Sequence, residues 1–275
     1  MSRIAVIGIA GNSVFLPVER FHVGGETVEA KSVHFEPGGK GFNQAVSAAR
    51  YGAEVAFLGA VGADGYDGIK KYLESDGIKA YLPLKQGCSA FAAIVTDANG
   101  INHVTVHQGV DLTPADVDAF ADEITSADIL LLNNEVPENV NIRAIEIAKA
   151  NGVKVVLNPA PARESAAYIL DNVDLFTPNE HETLGIEDKS NMIVTLGSKG
   201  CLLKELGEVV PAISAGKVVD TTGAGDTFNG VLVAMLADGA DLKTAALKAN
   251  TASGIGVTRK YAASSIPTKA EIDAM

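Results

Sequence analysis

The sequence predicts an α/β protein built on a mostly parallel sheet. Short, continuous apolar runs recur along the chain, several of them bounded by glycine. Stretches with apolar residues at i, i+3, i+4 spacing fall between them. Continuous runs suit strands covered on both faces, and the intervening 3.6-residue periodicity suits helices packed on those faces. Strand and helix in alternation give a parallel sheet.

Taken in order, Ile4-Ala5-Val6-Ile7, ending at Gly8, reads as the first buried strand. Residues 20–36 break the rhythm: Phe21, Val23, Thr27-Val28, Val33 and Phe35 alternate with polar positions and show no helical period. Gln44–Tyr51 reads as a helix and Val55–Leu58 as a strand. Residues 89–107 again alternate, with Asp97-Ala98-Asn99-Gly100 as a hairpin turn. These two regions predict a small extra sheet, suited to a lid over a site, an edge extension or a dimer contact. Strand Ile129–Leu132, helix Asn139–Ala150, strand Val153–Leu157 and strands Val173–Phe176 and Met192–Leu196 follow. Lys217-Val218-Val219 reads as a short strand before the helix Thr227–Ala237. The strands at 173–176 and 192–196 are expected to be parallel neighbours, yet Thr183–Asn191 is roughly fifteen residues shorter than a crossover with a helix uses. Either the connection is deleted or residues are missing there; loops 63–68 and 109–113 also read short.

With 275 residues, 47% apolar and 20% charged, the chain is long enough for a full core and is not disordered. Its 22 basic and 34 acidic residues give a net charge of −12, the wrong sign for nucleic acid or an anionic membrane as main partner. Cys88 and Cys201 form no zinc or disulfide pattern. No signal peptide is expected, and no run approaches the roughly 18–20 apolar residues of a membrane span. A cytoplasmic protein is expected. The five histidines have no metal spacing, and Gly8-x-x-Gly11 is not a dinucleotide fingerprint. Asp116, Asp118, Asp122 and Glu123 read as a solvated helix face.

Asp220-Thr221-Thr222-Gly223-Ala224-Gly225-Asp226-Thr227-Phe228-Asn229-Gly230 is the most informative stretch. Its glycines leave N–H groups uncovered where a helix begins, which makes an anion hole. A carboxylate there repels a phosphate, but it is well placed to take a proton from an attacking hydroxyl. Asp226 equally suits an ordinary N-cap, and the stretch alone does not choose. Pro37-Gly38-Gly39-Lys40-Gly41-Phe42-Asn43-Gln44-Ala45 opens the first long helix; it lacks Walker A spacing, and alone it reads as a glycine-rich turn.

Together, GGKGFNQA and DTTGAGDTFNG resemble the two signature segments of the ribokinase-like (PfkB) carbohydrate kinases. Asn158-Pro159-Ala160-Pro161-Ala162-Arg163, Thr177-Pro178-Asn179-Glu180-His181-Glu182, Thr195-Leu196-Gly197-Ser198-Lys199-Gly200 and Val257-Thr258-Arg259-Lys260 resemble further family segments, in the family's order. The resemblance implies one kinase domain over 1–275, a three-layer α/β/α sandwich whose small β lid uses segments of about 12–37 and 89–108. It implies ATP-dependent phosphorylation of a primary hydroxyl of a small sugar, ribose or a related pentose first, with a nucleoside or other carbohydrate as the alternative.

By the same resemblance Asp226 is the base, and the amides of Gly223, Ala224 and Gly225 stabilise the transferring phosphoryl group. Ser13, Gly38, Gly39, Lys40, Asn43 and Glu135 contact sugar. Asn179, Thr195, Gly197, Ser198, Gly200 and Asn250 line the nucleotide. Asn179 and Glu182 organise Mg²⁺ through water, and Asp220, Thr222, Gly256, Arg259, Tyr261 and Ser265 hold a K⁺-type ion. A homodimer through the lid strands is implied. Ser13 stands where the family carries an Asp, and Tyr261 where a Gly is common. With the short loops, Ser13 also motivates a non-catalytic sugar- or nucleotide-binding relative.

Overall fold

The computed structural model describes residues 2–99 and 101–275, so Gly100 of the expected hairpin turn lies outside the described residues. The strands are β1 (Arg3–Ile7), β2 (Gly11–Pro17), β3 (His34–Gly38), β4 (Glu54–Leu58), β5 (Lys79–Tyr81), β6 (Ala90–Thr96), β7 (Asn102–His107), β8 (Ile129–Asn133), β9 (Lys154–Asn158), β10 (Leu175–Phe176), β11 (Ile193–Thr195), β12 (Cys201–Leu203) and β13 (Glu208–Val210). The helices are α1 (Lys40–Tyr51), α2 (Tyr66–Ser75), α3 (Pro114–Ala119), α4 (Ala121–Thr125), α5 (Glu138–Ala150), α6 (Ala167–Asn172), α7 (Ala224–Ala237), α8 (Leu242–Gly256) and α9 (Lys269–Asp273).

Six strands form a parallel sheet in the order β10-β9-β8-β1-β4-β5. Its strands divide their side chains between two cores. Ile4 and Val6 of β1, Val55 and Phe57 of β4, and Ile129 and Leu131 of β8 face one core, which they share with α1, α2, α7 and α8. Ala5, Ile7, Ala56, Leu58, Leu130 and Leu132 face the other, shared with α3 to α6. Both faces being covered is why these strands are apolar at nearly every position. Each large side chain so buried contributes roughly 1.5–3 kcal/mol, which holds the three layers together.

β11, β12 and β13 form an antiparallel sheet. The parallel bridges Phe176↔Met192 and Asn179↔Thr195 join it to the main sheet beside β10, so the neighbours expected from sequence are adjacent. The connection between them closes with turns and no helix.

A separate four-stranded sheet, β3-β2-β6-β7, stands off the body. β2 pairs antiparallel with β3 and parallel with β6, and β7 forms the outer edge. Its inner face packs Phe15 and Ile94 against Ala262 and Tyr261.

Several sequence expectations are corrected. Of residues 20–36, only His34 onward forms a strand; residues 20–33 are irregular, because alternation without a partner strand makes no ladder. Lys217-Val218-Val219 is irregular too, with both valines exposed. Val173 is the extended residue that caps α6 and lies outside β10. The acidic run is not merely solvated: Lys85 donates to both Asp116 carboxylate oxygens at 2.7 Å, and Tyr81 Oη donates to Glu123 at 2.6 Å.

Candidate active site

From β1 the sheet grows one way through β4 and β5, and the other way through β8, β9 and β10. The order therefore reverses between β1 and β8, and open α/β sheets bind ligands beyond the carboxyl ends of strands at such a point. Gly8 follows β1 there, and Glu135 follows β8. The first turn of α1 lies directly on Gly8. A Cβ on Gly41 would sit 2.6 Å from Gly8 Cα, and one on Gly8 would sit 2.7 Å from Gly41 Cα. Only two glycines permit that approach.

α1 and α7 pack side by side, so the two glycine-rich stretches meet although they are far apart in sequence. Ser47 Oγ donates to the Thr227 carbonyl at 2.8 Å across this contact. Asp226 is only 8% exposed. Its Oδ2 accepts from Asn43 Nδ2 at 3.0 Å and its Oδ1 from Gln44 Nε2 at 3.1 Å. Gln44 Nε2 also donates to Asn158 Oδ1 at 3.1 Å, and Asn158 Nδ2 donates to the Thr177 carbonyl at 2.8 Å. Asp226 is not the N-cap. That place is taken by Gly223, at φ 75°. The Ala224 N–H donates to the Thr221 carbonyl at 3.2 Å, whereas those of Gly223, Gly225 and Asp226 find no acceptor among the described residues. Uncovered N–H groups of this kind at a helix start attract an anion.

Burial pushes the Asp226 carboxyl above the usual carboxylate range, with Lys40, Asn43 and Gln44 pulling against it. Burial likewise pushes Glu135 up to about 7, against the pull of Lys40. The Lys40 N–H donates to Glu135 Oε2 at 2.8 Å. Burial works against the Lys40 ammonium, yet the nearby carboxylates of Asp226, Glu135 and Glu182 outweigh it and hold the ammonium above its ordinary value. Two raised carboxyls beside one cation mark this as a cluster suited to acid–base chemistry.

The structure brings together Asp226, Lys40, Asn43 and Glu135. Ser13 lies on the lid against Gly38: a Cβ on Gly38 would come 2.8 Å from Ser13 Oγ, and Gly39, at φ 114°, carries the chain from β3 into α1. Gln44 and Asn158 were missed as site residues. Both sat inside segments that the sequence had singled out, but nothing local marked their link to Asp226.

A cavity of about 520 Å³ lies next to the start of α7. Asn179, Thr195, Gly197, Ser198, Gly200 and Asn250 all line it, and so does Gly225. Val257, from a segment that the family resemblance singles out, lines it too, but sequence reasoning missed the rest of its apolar wall, Ala212–Gly216 with Val218. Residues 211–216 have no periodicity to mark them, and Val218 reads from sequence as part of a strand. Asn250 Nδ2 donates to the carbonyls of Val210 and Pro211, each at 3.0 Å, so its nitrogen braces that wall.

Asn179 and Glu182 adjoin each other. The Asn179 N–H donates to Glu182 Oε2 at 3.0 Å, and Asn179 Oδ1 accepts from the His181 N–H at 2.8 Å. The second Glu182 oxygen has no partner among the described residues. A hard oxygen donor left free three residues from Asn179, which lines the cavity, fits a hydrated divalent cation. No group of three or more His, Cys, Asp or Glu stands ready to ligate a metal directly among the described residues.

The six residues nominated for a monovalent cation fall in one locality. Asp220 Oδ1 accepts from the Thr222 N–H and hydroxyl at 2.9 and 2.6 Å, and its Oδ2 accepts from the Tyr261 N–H at 3.1 Å. The Arg259 N–H donates to the Gly256 carbonyl at 2.9 Å, and Ser265 Oγ to the Ala262 carbonyl at 2.7 Å. Backbone oxygens there fit a monovalent cation in kind, while both Asp220 oxygens are already engaged by protein donors. Tyr261 has φ 74°, the sole positive value on a non-glycine residue among those described, at the position where the sequence comparison expected Gly.

No described helix is long and apolar enough to cross a membrane. The family model for pfkB family carbohydrate kinase matches residues 1–269. The ribokinase of Bacillus subtilis (strain 168) is 34% identical over 293 aligned residues, covering 99% of this chain and 99% of that protein. The alignment is longer than the 275 residues here, so that relative carries residues that this chain does not. The solved structure of ribokinase from Thermotoga maritima superposes with a TM-score of 0.88 at 32% identity, covering 100% of this chain and 99% of that one. Arabidopsis thaliana ribokinase, solved in complex with ribose and ATP, superposes with a TM-score of 0.87 at 26% identity, covering 100% and 98%.

Proposed function

This chain belongs to the pfkB family of carbohydrate kinases, and from that premise we propose that it moves the γ-phosphoryl group of ATP to the primary hydroxyl of a small sugar, ribose or a close pentose first. The Arabidopsis relative, solved with ribose and ATP, supports both halves of that assignment. One observation carries it for this chain: the start of α7 lines the 520 Å³ cavity through Ala224 and Gly225, while Asp226, one residue on, faces the charges of Lys40 and Glu135. A sugar held on one side and a nucleotide on the other meet at that helix start.

The roles follow from the chemistry. Glu135, Lys40, Asn43 and Ser13, with the backbone at Gly38 and Gly39, bind sugar hydroxyls. Asp226 takes the proton of the primary hydroxyl as its oxygen attacks the γ-phosphorus; the bond to the β,γ-bridging oxygen breaks and ADP leaves. The N–H groups at Gly223 and Gly225 stabilise charge on the phosphoryl group in transit, with Ala224 holding the turn through Thr221. Thr195, Gly197, Ser198, Gly200 and Asn250 receive the nucleotide. Asn179 and Glu182 hold Mg²⁺ through water, which supplies neutralisation of phosphate charge. The loop of Asp220, Thr222, Gly256, Arg259, Tyr261 and Ser265 is the place for K⁺, if the enzyme uses it.

The single domain spans 1–275, with a lid from about 12–37 and 89–108. Two chains pair through their lid strands: β7 is an exposed edge, and Phe35 and Phe91 are exposed on the same sheet. The enzyme works in the cytoplasm, where the free thiols Cys88 and Cys201 stay reduced.

The test is ADP release from Mg-ATP against pentoses, hexoses and nucleosides, with and without K⁺. Turnover with ribose or deoxyribose is expected. Ser13 favours a second reading, because it offers a hydroxyl where the family carries a carboxylate. Turnover confined to a nucleoside or another carbohydrate would establish that reading. ATP binding without turnover on any acceptor would overturn the kinase assignment in favour of a binding protein.

A further inference from the structure

Glu36 lies on β3, three residues before Gly39, and plays no part in the chemistry above. It is 5% exposed, an unusual place for a carboxylate. Its partners are backbone groups far away in sequence. Oε1 accepts from the N–H of Ala262 at 2.8 Å and of Ala263 at 3.0 Å, and Oε2 accepts from the N–H of Ser264 at 3.2 Å. His34 Nε2 lies 3.4 Å from Oε2. Three successive N–H groups form a concave anion seat, and here a side chain of the lid fills it.

The same segment meets the lid a second time. The Tyr261 ring stacks on His34, centroids 3.8 Å apart at 9°, and meets Phe15 edge-on at 5.1 Å. Beyond this contact, the Tyr261 N–H holds Asp220, and Asp220 holds the Thr222 N–H and hydroxyl just before α7 begins. One carboxylate on a strand that enters the sugar side thus grips the loop that supports the helix start beneath Asp226.

We propose that Glu36 is a positioning residue that locks residues 262–264 to the lid strand, so that the sugar-side lid and the Asp220–Gly223 turn are held in one arrangement. Glu36 also accounts for Ser13. The two residues are directly opposite in the antiparallel β2–β3 pair. An Asp at position 13 would place like charges on opposed positions of one face, which destabilises a sheet. The acid present at 36 and the acid absent at 13 are one choice.

This inference rests on the kinase reading for its kinetic part, but not for its structural part. Arg50 Nη1 donates to the carbonyls of Ala263 and Ile266 at 2.8 and 3.0 Å, holding the segment from the α1 side, so Glu36→Gln is expected to fold. Amide hydrogen exchange of residues 261–264 and sugar kinetics are measured on wild type, Glu36→Gln and Glu36→Asp. In Glu36→Gln, exchange at 262–264 should rise about tenfold or more as the charged acceptor is lost. The sugar kcat/KM should fall by about tenfold, while ATP affinity by calorimetry stays within about twofold, because the nucleotide cavity does not touch Glu36. Glu36→Asp keeps the charge and should lie between. Should Glu36→Gln fail to fold, Glu36→Asp carries both measurements. Unchanged exchange in the folded variants, or faster exchange with unchanged sugar kcat/KM, would overturn the proposal. A wild type without turnover would instead remove the kinase reading and leave the exchange result to decide the lock.

Discussion

The two sides of the proposed site are built by opposite means. The side proposed for the nucleotide is a cavity with an apolar wall, assembled from neighbouring turns and two helices. The side proposed for the sugar is a buried polar network in which α1, α7 and the ends of β8 and β9 share hydrogen bonds. An apolar wall loses contact gradually, one methyl at a time. A buried network fails abruptly, because each lost partner strands another polar atom without water. Damage on the sugar side should therefore be steep, and damage on the nucleotide side graded.

Asp226→Asn is the hardest test of that contrast. It keeps the shape and removes the base, so turnover should drop by about 10²–10⁴-fold or to background, while ATP affinity persists. ADP release and calorimetry on the same preparation check both halves; near-normal turnover would refute the role of Asp226.

The second test uses pH. Glu135 in the folded protein is pushed up to about 7, so the native state holds this proton more tightly than the unfolded chain. Its contribution is therefore greatest at acid pH and is lost as pH rises from about 4.5 through about 7, a difference of roughly 3 kcal/mol. Denaturant unfolding at pH 5 and pH 8 should show that loss in wild type, and Glu135→Gln should flatten it. The buried Asp226 acts in the same direction and helps to raise Glu135, so the two titrate as a coupled pair and the variant reports the loss of that pair's shared part.

Gln44→Ala comes next. It strips a donor from Asp226 Oδ1 and from Asn158 Oδ1 together, which should cost about 1–3 kcal/mol of stability. It should also move the acid limb of the turnover profile to higher pH, since the amide helps hold Asp226 ionised. An unmoved limb would mean that Gln44 serves packing alone. The smallest effect is expected across the cavity. Val257→Ala trims the wall by two methyls and should weaken ATP binding by about 1 kcal/mol, several-fold in KM, with kcat retained. If it instead abolished turnover, the contrast between the two sides would fail.

Much of the fold was legible because the relevant signals are local. β1, β4 and β8 are apolar at nearly every position since helices cover both their faces, and a buried strand needs no knowledge of its neighbours to be seen. The glycines at 38, 39, 223 and 225 were legible for the same reason. What stayed hidden depends on partners distant in sequence. Gln44 looked like one more helix residue until Asn158 and Asp226 were placed beside it. Glu36 looked like the polar member of an alternating strand, although its three donors lie near the other end of the chain. Val218 and Val219 misled in the opposite sense: an apolar pair with no strand to receive it remains a loop.

The contact between Gly8 and Gly41 has a consequence for sequence drift. Each position forbids a methyl on account of the backbone of the other, so neither can change first, and no compensating substitution at the partner exists because glycine has nothing left to give up. Two positions in separate elements thus behave as one unit of heredity. Variation that retunes the acceptor sugar has to arise around this junction, in Ser13, Glu36 and the lid, while the junction itself stays fixed.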